Sequence, residues 1–151
     1  MATLASVRPV TAVDEHAVST AAVELLASAR RSMAEALVAS SPCERYAAAH
    51  LAALRGAAAV LAARGRPNAR RRRVRSAWVV LPEVAPEFGE WAAFFAAGAS
   101  KRAVAEAGVS CVSSREADDL VRDVDAFLSR IASALGLAHQ SMLIAGLRHT
   151  G

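Results

Sequence analysis

The chain has 151 residues, 54% of them apolar, 5% aromatic, and a formal net charge of +4. That length suits one domain with a sizeable core, and the abundance of alanine with sparse Gly and Pro favours close-packed helices over a sheet. Cys43 and Cys111 lie far apart without a CxxC or an adjacent His, no uninterrupted apolar run approaches the roughly 18 to 20 residues of a membrane span, and the N-terminus lacks a signal-peptide core, so the expectation is a reduced, cytoplasmic, soluble protein with no zinc site, disulfide framework or membrane contact.

Residues 1–12 read as a flexible lead-in. After them Val18, Ala22, Leu25, Leu26, Ala29, Met33 and Leu37 recur at the three-four spacing of an amphipathic helix, predicted over Val13 to Ala39. The tight connection Ser40-Ser41-Pro42 turns a second helix straight back as an antiparallel hairpin. Ser41 followed by Glu44 spells a capping box, Pro42 falls at the first helical position where its missing N–H costs nothing, and Gly65 offers a C-terminal cap. Ala47, Leu51, Leu54, Ala58 and Leu61 form one apolar stripe of this helix, with Tyr46, His50, Ala53, Ala57 and Val60 forming a second beside it, which points His50 toward packed surface.

The connector from Gly65 to Arg75 breaks the pattern with Pro67, Asn68 and an arginine run, and is predicted as a loop or frayed turn in solvent. Arg64, Arg66, Arg70, Arg71, Arg72, Arg73 and Arg75 put seven positive charges and no acid into twelve residues, leaving the rest of the chain with 11 basic against 14 acidic residues. Polyanion binding is therefore expected to localise here. Arg66, Arg70, Arg71, Arg72, Arg73 and Arg75 are the candidate nucleic-acid-binding residues, acting on phosphates through counterion release without sequence specificity. No aromatic is interleaved to stack bases, so a merely solvated loop is the competing reading.

A third helix beginning near Ser76 carries Trp78, Leu81, Val84, Phe88, Trp91 and Phe95 at helical spacing, with Pro82 and Pro86 expected to kink it or split off a short first piece. The segment Ser100 to Gly108 either prolongs that helix or makes a separate turn stopped by Gly108. A second capping box, Ser113 to Glu116, opens a fourth helix through Leu120, Val124, Phe127, Leu128 and Ile131 to a Gly136 cap. The apolar tail over 137–151 is expected to dock as a short fifth helix or to pair with another subunit. Neither an internal repeat nor strand-like alternation is found.

Facing Glu-x-x-His pairs, a Gly-rich phosphate loop, a nucleophile elbow and a dinucleotide fingerprint are all missing, so no metal and no cofactor are expected. Asp118, Asp119, Asp123 and Asp125 cluster on the fourth helix with Arg115 and Arg122 interleaved at ion-pair spacing, which favours a solvated face. Arg45 and His50, five residues apart, are the remaining constellation.

The segment ERYAAAHLAALRGAAAVLAARG resembles the second helix of the HEPN superfamily, with its Arg-Tyr start, small-residue stripe and glycine stop. RYAAAHLAALR, EWAAFFAAGA and ADDL are similar in particular to a stand-alone actinobacterial HEPN family of unassigned activity, and the resemblance covers about residues 15 to 136. It implies an all-α, four- to five-helix up-down bundle over 13–136. It also implies a homodimer, and raises metal-independent RNA cleavage, because many HEPN nucleases use an Arg followed four to six residues later by His. Arg45 and His50 meet that spacing and are the candidate catalytic pair. In such an enzyme His would act as general acid or base and Arg would stabilise the phosphorane. In those nucleases, however, the motif lies near the last helix, whereas here it opens the second, and SKRAVAEAGVSCVSSREADDL contains no His. Residues five apart on a regular helix also diverge by about 140° in azimuth. The expectation is therefore a non-catalytic module that binds nucleotide, nucleic acid or a protein partner, with an endoribonuclease and a protein-interaction adaptor as alternatives. In the adaptor reading Trp78, Trp91 and the tail would cover the partner.

Overall fold

A computed structural model describes residues 11–65, 75–108 and 112–137, with the side chains of the first helix described from Thr20 onward. Helix α1 spans Thr11–Val38 and α2 spans Pro42–Arg64, joined by the predicted tight turn. The Ser41 hydroxyl accepts the Glu44 N–H at 3.2 Å, as a cap should. The reciprocal half of the expected box is not made, because the Glu44 carboxylate accepts the Ser40 hydroxyl at 3.1 Å instead. Gly65 ends α2 in extended geometry, with φ −67° and ψ 136°, so its freedom to adopt positive φ is not used.

Helix α2 is the hub. Tyr46, Ala49, His50, Ala52, Ala53, Gly56, Ala57, Ala59 and Val60 are buried, which covers the second predicted stripe and extends it, while Ala47, Leu51, Leu54, Ala58 and Leu61 are only half-buried. Every remaining helix packs against it. By length and composition α2 matches a membrane span, but its apolar character is that of a helix surrounded by others. Small side chains let those neighbours come close. At Gly56 an added Cβ would fall 2.5 Å from Leu128 Cδ2 and 3.1 Å from Ile131 Cδ1. The interface with α1 buries Leu26, Ala29, Met33 and Ala36, and the wholly buried Ser32 hydroxyl accepts from Arg55 Nη1 at 2.5 Å, which satisfies it.

The prolines split the third predicted helix. Helix α3 spans Ala77–Val84 with Pro82 inside it, a 3₁₀ turn covers Pro86–Phe88, and α4 spans Gly89–Glu106, so the SKRAVAE segment prolongs α4. Gly108, at φ 74°, follows as the stop. Helix α5 spans Ser114–Ala134, with both bonds of the Ser113–Glu116 capping box formed and Gly136 at φ 67° beyond its end. Trp78, Phe88, Trp91 and Phe95 surround Phe127, whose ring has no exposure. Burial of such a side chain contributes about 2–3 kcal/mol, and this cluster ties α3, the 3₁₀ turn and α4 onto α5. Among the described residues the architecture is all-α. The lead-in before Thr11, arginines 66 and 70–73, and the tail beyond Leu137 lie outside the described residues.

Candidate functional site

The capped start of α2 places Arg45 in its first turn. Its Nη1 donates to Asp118 Oδ1 of α5 at 2.7 Å and its Nη2 to the Ala39 carbonyl at 3.4 Å. Five residues on, the His50 ring turns inward and is 1% exposed. Nε2 lies 3.0 Å from the Phe95 carbonyl of α4, and since a carbonyl only accepts, Nε2 carries the proton and donates. The ring meets Trp78 and Phe95 edge-on, with centroids 6.0 and 5.9 Å away. Nδ1 is buried with no hydrogen-bond partner. Burial pushes the His50 pKa below its usual 6.5, opposed in part by the Phe95 carbonyl; nearby Arg102 adds to the lowering and Glu106 counters it. The two candidate catalytic side chains thus serve different partners: an ion pair at the surface and a hydrogen bond in the core.

A cavity of about 410 Å³ lies beside His50. Tyr46 and His50 line it from α2, Phe94, Phe95, Ala97, Gly98, Ser100 and Lys101 from α4, and Leu120 from α5. Gly98 matters because a Cβ there would fall 3.2 Å from the Tyr46 hydroxyl and 3.7 Å from His50 Nε2. At the rim, Lys101 Nζ bonds Glu116 Oε1 at 2.7 Å while Glu116 Oε2 accepts the Ser113 N–H at 2.8 Å. The Lys101 contact, reinforced by the Ser113 N–H, holds the Glu116 carboxyl down to about 2.

The acidic cluster of α5 departs from the expected single solvated face. Asp119 does pair with Arg122 and Arg115 along the helix. Asp118 instead reaches across to Arg45, and Asp125 is 8% exposed. Asp123 is half-buried, and burial with the neighbouring Asp119 charge raises its pKa. Among the described residues no three His, Cys, Asp or Glu side chains converge as a metal site. Of the candidate nucleic-acid residues only Arg75 is described; it is exposed and its guanidinium forks onto Glu83 at 2.5 and 3.1 Å.

Tyr46 stands out in the sequence as a stripe residue, as half of the Arg-Tyr start, and with Arg45 and His50 as a polar group in the first two turns of α2, whereas nothing there gives a role to Phe94, Gly98, Ser100 or Lys101. Their spacing on α4 carries a weak signal, since Phe94, Ala97, Gly98 and Lys101 share one side of a helix, but nothing local says which helix that side meets.

No curated protein and no solved structure matches the chain. The family model for SAV_6107-like HEPN proteins matches residues 34–132, from the last turns of α1 to the last turn of α5. That match takes in the whole hub helix, α3, the 3₁₀ turn, α4 and nearly all of α5, about two thirds of the chain, and the chain belongs to the SAV_6107-like HEPN family.

Proposed function

We propose that the protein is a non-catalytic HEPN module of the cytoplasm that binds RNA or a nucleotide as a homodimer. The observation that carries this reading is the position of His50: at 1% exposure, with Nε2 committed to the Phe95 carbonyl, the ring is a packing and fastening element. A general acid or base must come within hydrogen-bond reach of a substrate hydroxyl. Arg45 is bonded to Asp118 and to the Ala39 carbonyl, partners that it does not share with His50. Affinity for RNA comes in this reading from Arg66, Arg70, Arg71, Arg72 and Arg73, dense positive charge on an otherwise acidic body. Support for the homodimer comes from α4, which leaves Ala96, Ala99 and Ala103 exposed along one side, an uncharged strip that a second helix can approach closely.

The ribonuclease reading keeps the Arg45 to His50 spacing in its favour. The adaptor reading loses part of its proposed surface, because Trp78 is 6% exposed within the aromatic cluster. One experiment separates the three: labelled single-stranded and structured RNA is incubated in EDTA with the wild type, Arg45→Ala and a variant carrying alanine at 70–73. Salt-sensitive binding without cleavage, lost in the 70–73 variant, is the expected result. Metal-independent cleavage abolished by Arg45→Ala would establish the nuclease, and absence of RNA binding would overturn the RNA reading and favour the adaptor.

A further inference from the structure

We infer that α4 pairs in antiparallel register with α4 of a second copy of the chain, so that Glu90 of each copy faces Lys101 of the other and the second copy's Phe94 closes the cavity beside Tyr46 and His50. The inference rests on the homodimer reading and gives it a surface and a register. Ala92, Phe95 and Ala105 turn one side of α4 into the bundle. On the outer side Glu90, Phe94, Ala97, Lys101 and Val104 follow one another at steps of four, three, four and three residues, all of them exposed except the half-buried Lys101. That spacing keeps them in one row along the helix, and it is the repeat with which two helices pack along their length. Phe94 is 49% and Val104 40% exposed, apolar surface that a single chain leaves in water.

The row is complementary to its own reverse. It carries an acid, Glu90, and about three turns on a base, Lys101, with the large Phe94 beside the acid and the small Ala97 beside the base. A two-fold axis between Phe95 and Ala96 sets Glu90 opposite Lys101 and Phe94 opposite Ala97, each twice, which is the self-complementarity of an isologous interface. Parallel pairing would oppose like charges at both ends, so the charges select the antiparallel arrangement. The attraction acts between the ends of the two rows and asks no free donor of Lys101, which keeps its bond to Glu116. Small exposed side chains on the neighbouring flank, Ala96 and Ala103, let the two helices come close. Ala97 and Lys101 also line the cavity of about 410 Å³, Ala97 from an exposed position. The second copy's Phe94, seated on Ala97, therefore lies over the cavity mouth, and a cavity open in one chain is closed in the pair.

Sedimentation equilibrium of the full chain measures the dimer dissociation constant for the wild type, Phe94→Ala, Glu90→Lys, Lys101→Glu, and an equimolar mixture of the two charge-reversed variants. Circular dichroism confirms that each variant is folded. Each reversal alone places like charges at both ends of the pair and should weaken dimerisation about tenfold. Phe94→Ala, which removes the ring from the interface, should weaken it by a similar factor. The mixture should regain the wild-type constant, because in a mixed dimer the reversed ends face each other and the native Glu90 and Lys101 form the second pair. Loss of the Lys101–Glu116 bond within a chain is not repaired by mixing, so recovery reads the contact between copies alone. A wild type that stays monomeric up to millimolar concentration overturns the homodimer reading and this inference with it. A dimer indifferent to Phe94→Ala and to both reversals overturns this inference alone and leaves the homodimer to another surface. Reversed variants that weaken the dimer without recovering on mixing overturn the antiparallel register.

Discussion

His50 Nε2 donates to the main-chain carbonyl of Phe95 at 3.0 Å, joining the hub helix to α4 inside the aromatic cluster. Because burial holds the His50 pKa below 6.5, the folded state keeps the ring neutral while the unfolded chain takes up a proton once the pH drops below that value. The contribution to stability is complete above about 6.5 and is lost as the pH falls through the lower folded-state value. Urea unfolding of the wild type is expected to show this decline on acidification. In His50→Gln, which keeps a side-chain amide donor but cannot titrate, that component of the pH dependence should vanish. An unchanged pH profile in the variant would show that another group carries it.

The Arg45–Asp118 pair links the first turn of α2 to the first turns of α5 across 73 positions of sequence. Its side chains are 26% and 50% exposed, so solvent screens the attraction. A double-mutant cycle with Arg45→Ala and Asp118→Ala should give a coupling energy of only about 0.3–1 kcal/mol. A larger value would mean that the ion pair organises the α2–α5 junction.

Gly56 and Gly89 are both helical glycines and should respond oppositely to a side chain. A Cβ at Gly56 enters the space of Leu128, itself wholly buried, so Gly56→Val should cost about 2–3 kcal/mol in urea denaturation. At Gly89 a Cβ meets nothing within 4 Å, and Gly89→Ala should be neutral or stabilising by up to about 1 kcal/mol. Equal effects at the two positions would contradict the close α2–α5 approach.

Ser113 and Glu116 complete a reciprocal cap at the start of α5. Ser113→Ala should lower stability by about 1 kcal/mol, read from the urea midpoint, with the slope unchanged. Ser41→Ala at the start of α2, where only one half of the box forms, should cost no more than that.

What the sequence determined by itself is local. The caps at Ser41 and Ser113, the break at Pro82 and Pro86, and the stops at Gly108 and Gly136 all act within four residues of the backbone they govern, so α1, α2 and α5 are legible within two residues of their bounds, while the choice between a kinked and a split third helix stayed open. The alanine-rich, nearly all-apolar hub was legible as a buried helix for the same reason. The tertiary structure alone decided which faces meet. In a helix apolar almost all round, periodicity does not choose a partner for each side, and so the inward turn of His50 toward Phe95, 45 residues away, could be read only as packing of some kind. Likewise Asp118 looks like one member of a solvated acidic row until α2 and α5 are docked and its carboxylate faces Arg45. The cavity belongs to this second class too: Tyr46, Gly98, Lys101 and Leu120 come from three helices, and only the distances between those helices make them one site.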